Sequence, residues 1–210
     1  MEKETNLKLI GCRGTGSAIA EAFLTLADLS YEVEEVDYDK ESKQRHYLRS
    51  LNPLIQVPTL VLPDQSVLTE TFAIAQYAQL MCPEYTFIPS QDIHFWRWIM
   101  FINAAIYPTF TYGDSPQKWV RPLDGQKDLR KSTDDRRKQL WGQMEGQGKL
   151  PYFLGDEFSA IDIYIYVMSH WRPGYDWFVQ SCPRLASIAQ KVEMHPKLQD
   201  LWDVHFSTEG

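Results

Sequence analysis

Apolar positions in the N-terminal part of the chain change period several times. Leu7–Gly11 is a short apolar run of strand type, followed by a turn at Gly14-Thr15-Gly16. From Ser17 onward Ile19, Ala22, Phe23, Leu26 and Ala27 recur at three and four residues, which predicts an amphipathic helix. Tyr31–Asp37 follows a break at Asp28–Ser30 and reads as a second strand. The polar stretch Lys40–Arg49 predicts a short exposed helix or a loop. Val57–Leu62 and Ser66–Thr69 flank Pro63-Asp64-Gln65, a β-hairpin pattern, and Ala73, Ile74, Tyr77, Ala78 and Met81 form another helical stripe. The order β-α-β-α-β-β-α is too short for a six-stranded dinucleotide fold.

The pattern then changes. Cys82–Ser90 contains Pro83 and Pro89 without helical spacing and reads as a linker. Beyond it no strand-period segment occurs. Helical stretches are expected at about 91–106, 124–145, 159–171, 183–193 and 195–203. In the third, Ile161, Ile163, Tyr164, Ile165, Tyr166, Val167 and Met168 leave almost no polar face, which predicts a helix buried at the centre of a bundle. Ser159-Ala160-Ile161-Asp162 sets a hydroxyl at N-cap and a carboxylate at N3, close to a capping box. The expected organisation is an α/β domain over 5–84 and an all-helical domain over 90–206.

Composition narrows the function. Of 210 residues, 44% are hydrophobic and 13% aromatic, which excludes disorder. A formal net charge of −7, with no basic aromatic-rich segment, argues against a nucleic-acid partner. The apolar runs are far shorter than the ~20 residues of a membrane span. The charged start, Met1–Asn6, precedes only a short apolar run, so no export signal and a cytoplasmic location are expected. Cys12, Cys82 and Cys182 share no CxxC spacing, and the five histidines form no HExxH, so neither a disulfide framework nor a metal site is expected.

Three local sequences carry a resemblance. Asn52-Pro53-Leu54-Ile55-Gln56-Val57-Pro58-Thr59-Leu60 resembles the NPxxxVPxL segment of cytosolic glutathione transferases. Glu70-Thr71-Phe72-Ala73-Ile74 resembles their ESxAI, with Thr in place of Ser. Ser159–Asp162 resembles the capping box of their second domain. Order and spacing match over about residues 7–203. The resemblance implies a thioredoxin-like domain that binds glutathione, followed by a helical bundle, in a homodimer.

It also implies roles. Val57, before a proline that is cis in the family, would pair with the cysteinyl unit of glutathione; the residues alone favour an ordinary trans proline opening an edge strand. Glu70 and Thr71 would hold the ammonium and carboxylate of the γ-glutamyl end, at a helix start suited to anions. Gln56 would contact the glycyl end, and the residue alone fits a solvated position equally well. Activation of the thiol, whose ordinary pKa is about 8.5, would come from a hydroxyl at the start of the first helix. The tyrosine used by some classes falls on Gly11 and the common serine on Gly14, which leaves Thr15 and Ser17; Ser17 is favoured because it opens the expected helix, and either hydroxyl fits a simple N-cap as well. Cys12 lies two positions before the redox-cysteine site and lacks the following proline, so it reads as a buried strand-end cysteine. Arg13 is either an offset for the carboxylates of glutathione or a solvated surface residue.

Tyr107, Phe110, Tyr112, Tyr166 and Trp171 are candidates for an apolar second-substrate wall between the domains, or for bundle core. Phe95–Phe101 fits a dimer interface or core equally. The expected reaction is conjugation of glutathione to a small hydrophobic electrophile. Two alternatives are a glutathione-dependent isomerase of the maleylacetoacetate type, which Gln56–Leu60 resembles, and a non-catalytic interaction protein of the same fold.

Overall fold

The computed structural model describes residues 7–37 and 40–207. Met1–Asn6, including the first two residues of the expected first domain and the segment read as lacking an export signal, lies outside the described residues. The chain divides into two compact units, Met1–Ile88 with Val192–Gly210, and Pro89–Lys191.

In the first unit β1 (Leu7–Gly11), α1 (Gly16–Leu26), β2 (Tyr31–Glu35), α2 (Lys43–Leu51), β3 (Thr59–Val61), β4 (Val67–Leu68) and α3 (Thr71–Met81) follow in sequence. The sheet order is β2-β1-β3-β4, with β1 parallel to β2 and the other pairs antiparallel. This is the thioredoxin-like arrangement. The expected second strand stops at Glu35, before Val36 and Asp37. The polar stretch is helical, capped by Ser42 Oγ, which accepts from Arg45 N–H at 3.0 Å. The turn at Pro63-Asp64-Gln65 closes the hairpin through Leu62 N–H to Ser66 O at 2.8 Å.

Ten of the eleven residues of α1 are buried. The helix packs against α3 and against α10 (Gln199–Phe206), the C-terminal helix of the same unit. Leu48 of α2 closes a separate cluster with Ile10 and Val36, onto which Leu51, Ile55 and Val57 pack.

The second unit holds α4 (Ile93–Phe101), a π-helical turn Ile102–Ile106, α5 (Tyr107–Asp114), α6 (Leu123–Glu145), α7 (Ala160–Ser169) and α8 (Tyr175–Ser181). It also holds most of α9 (Pro183–Glu193). Every residue of α7 is buried. The first helical stretch runs past the expected end at 106 into α5. Tyr107 N–H reaches back to Ile102 O, five residues away, so α5 restarts with Pro108 in its first turn. There a missing N–H costs nothing.

Close approach of α5 and α6 depends on Gly113, where an added Cβ would stand 2.4 Å from Thr133 Oγ1. Gly113→Ala is expected to lower stability by about 1–3 kcal/mol through overpacking, measured as a reduced urea midpoint at unchanged m.

Candidate functional site

Strand register gathers the N-terminal motifs. Ile10 pairs with Thr59, and Leu60 with Leu68. Continued along the chain, these registers set Gly11, Pro58 and Glu70 abreast at one end of the sheet. Helix α1 begins just past Gly11 and α3 just past Glu70, so both helices start at this end. Free N–H groups and the positive ends of two helix dipoles favour an anionic ligand there.

The turn into α1 is held by its own side chains. Thr15 is the N-cap: its Oγ1 accepts from Ser17 N–H at 3.3 Å and donates to Cys12 O at 2.7 Å. Ser17 does not open the helix, as expected from its sequence position, but occupies the second turn position after Thr15. Its Oγ accepts from Cys12 N–H at 3.1 Å, and the residue is 0% exposed. Ser17 therefore braces the turn from inside, whereas Thr15 is half-buried.

The two glycines explain the missing family side chains. A Cβ on Gly11 would lie 3.1 Å from Ser17 Cβ, and Gly14 has a φ of 67°, which strains any other residue. Cys12 is half-buried rather than buried. Arg13 is exposed and pairs with Glu35 at 3.3 Å.

The loop before β3 is built around Asn52, the C-cap of α2, which is 5% exposed. Its Nδ2 donates to Gln56 O at 3.2 Å and to Thr59 Oγ1 at 3.1 Å, while its Oδ1 accepts from Leu54 N–H at 3.0 Å. Thr59 Oγ1 in turn donates to Gln56 O at 2.8 Å. The Val57–Pro58 bond is cis. Gln56 is exposed, Val57 half-buried and Pro58 buried. Asn52 and Thr59 were not singled out as site residues from the sequence. The available signal was a polar residue before proline at a helix end, which needs a buried partner to hold the next loop.

Glu70 is the N-cap of α3 at φ 67° and ψ 115°, and its side chain makes no capping hydrogen bond. Its carbonyl accepts from Ala73 N–H at 2.9 Å and Ile74 N–H at 3.1 Å. Thr69 Oγ1 donates to its carboxylate at 3.4 Å. Thr71 is 8% exposed. A glutamate in this backbone region costs ~1–3 kcal/mol.

In the second unit the rings of Tyr107 and Phe110 both meet Trp171 edge-on, with centroids 5.6 and 5.0 Å away. Tyr112 is separate and exposed beside Trp119, and Tyr166 is buried within α7. Phe95 and Trp98 are buried in this unit, with Trp98 edge-on to Phe153. Among the described residues no group of three or more His, Cys, Asp or Glu side chains is set to hold a metal. Among the described residues no helix is long and apolar enough to cross a membrane.

Fold and motifs define a thioredoxin-like domain with an anion-favouring sheet end, joined to a helical unit. The profile described as "Glutathione S-transferase, N-terminal domain" matches residues 17–79. The chain is 36% identical over 201 residues to the uncharacterized GST-like protein YncG of Escherichia coli K12, covering 93% of this chain and 96% of that one. It is 31% identical over 183 residues to glutathione S-transferase GST-4.5 of Xanthomonas campestris pv. campestris, covering 79% and 82%. A glutathione transferase homologue from Sulfitobacter, crystallised with bound glutathione, shares the fold at a TM-score of 0.85 and 20% identity, covering 94% and 97%. This chain belongs to the glutathione S-transferase family.

Proposed function

We propose that the chain binds glutathione along the shared sheet end and transfers its thiolate to a small apolar electrophile. The alignment of Gly11, Pro58 and Glu70 beside two helix starts carries this reading. The glutathione held by the Sulfitobacter homologue supports it. Val57 offers its backbone N–H and C=O to the cysteinyl unit. Glu70 receives the ammonium of the γ-glutamyl group, Thr71 holds its carboxylate, and Gln56 meets the glycyl end.

The thiolate forms at the start of α1, where the helix dipole favours negative charge. Thr15 supplies the hydroxyl, exchanging its bond to Cys12 O for one to sulfur, while Ser17 keeps the turn in shape. The same reading takes the protein as a cytoplasmic homodimer, for which light scattering should give about twice 24.5 kDa.

Thr15→Ala should lower turnover about 3- to 5-fold at pH 7, with partial recovery in alkaline buffer, since losing a donor raises the bound thiol's pKa by roughly one unit. Turnover with an aryl halide across pH 6 to 9 measures this. Ser17→Ala should instead lower the melting temperature. Calorimetry with glutathione, run beside the halide assay, tests the whole reading: no binding overturns it. Binding without conjugation, but with cis–trans isomerisation of a maleyl substrate, replaces transfer by isomerisation.

A further inference from the structure

The C-terminal helix reaches back to the turn that opens α1. His205, in the last turn of α10, has a side chain only 2% exposed. Gly14 N–H donates to its Nδ1 at 3.2 Å. Nδ1 is therefore the acceptor in this pair. Nε2 lies 3.1 Å from Oε1 of Glu21, a carboxylate on α1 that is itself 6% exposed, though the two are not aligned as a hydrogen bond. A buried imidazole between a backbone donor and a buried carboxylate has a fixed tautomer and orientation.

We propose that His205, backed by Glu21, is a positioning residue for the thiol-activating turn. It grips Gly14 N–H and so holds the left-handed Gly14 and the neighbouring Thr15 hydroxyl in register with the start of α1. This role rests on the glutathione reading above. Glu21 faces the ring from α1; on the turn Cys12 and Arg13 flank Gly14, with Arg13 paired to Glu35; on α10 the Phe206 ring stands beside it at 5.9 Å.

The test compares the wild type with His205→Asn, whose Oδ1 replaces Nδ1 as acceptor, and His205→Phe, which keeps ring volume without an acceptor. In the ligand-free protein at pH 7.5, Gly14 amide exchange should be at least ~10-fold faster in the phenylalanine variant and near wild type in the asparagine variant. With glutathione and an aryl halide, His205→Phe should lose ~10-fold in kcat with little change in KM, and His205→Asn should restore it. Equal Gly14 exchange in the wild type and His205→Phe overturns the grip, whether or not glutathione binds. Altered exchange with unchanged kcat makes His205 merely structural and overturns the positioning role. A protected Gly14 in a wild type that binds no glutathione overturns the glutathione reading, and the role with it.

Discussion

Replacing Glu70 and Thr71 together by alanine is expected to weaken glutathione binding by roughly 100-fold or more, with the fold intact. Each charge-assisted hydrogen bond lost costs ~1.5–3 kcal/mol, or about 10- to 150-fold, and neighbouring effects fall short of strict additivity. Glu70 has no capping job to lose: its side chain makes no capping hydrogen bond, and its carbonyl contacts to α3 survive truncation. Glu70→Gly sharpens the test. Glycine accepts φ 67° freely, so this variant should be more stable than Glu70→Ala by about 1 kcal/mol while binding no better. Calorimetry gives the affinities and urea titration the stabilities. An unchanged dissociation constant in the folded double variant would remove the γ-glutamyl assignment.

Periodicity made most of the first unit legible, because its elements each bury one face and keep simple spacing. The hairpin could be read from Pro63-Asp64-Gln65, and the cap of α7 from Ser159 and Asp162, since both devices are local. Non-local features stayed hidden. Helix α5 passes Pro108 only because a π turn absorbs the missing N–H, which no propensity shows. Helix α8, seven residues long, is too short to display a period. At the site, the motifs could be recognised one by one, but their alignment at one sheet end follows from strand register. Ser17 was favoured from its place in sequence, whereas its burial depends on the space that Gly11 leaves. His205 lies beyond the expected end of the last helix at 203 and meets Gly14 across 191 residues of sequence.

Asp162→Ala should destabilise the protein by about 3–5 kcal/mol at pH 7, a large part of the stability of an ordinary domain. The carboxylate is 0% exposed and accepts from Phe153 N–H at 2.7 Å, Ser159 N–H at 2.7 Å and Ser159 Oγ at 3.0 Å. Alanine leaves both backbone donors buried without an acceptor and uncaps the central helix α7. Burial pushes the Asp162 carboxyl up to about 6, against the hydrogen bonds from Phe153 and Ser159, which lower it. A folded-state value raised above the ordinary 3.8 means that the folded protein holds this proton more tightly than the unfolded chain. The associated stability is fully present below pH 3.8 and is lost as pH rises through about 6. At ~1.4 kcal/mol per unit the change across that window is about 3 kcal/mol. Asp162→Asn cannot titrate; it keeps one acceptor for Phe153 N–H and turns a donor toward Ser159, so it should cost less than alanine. Urea denaturation of the wild type and Asp162→Asn between pH 4 and 7.5 should show the wild type losing its advantage as pH rises, whereas parallel profiles would show that Asp162 does not titrate in this range.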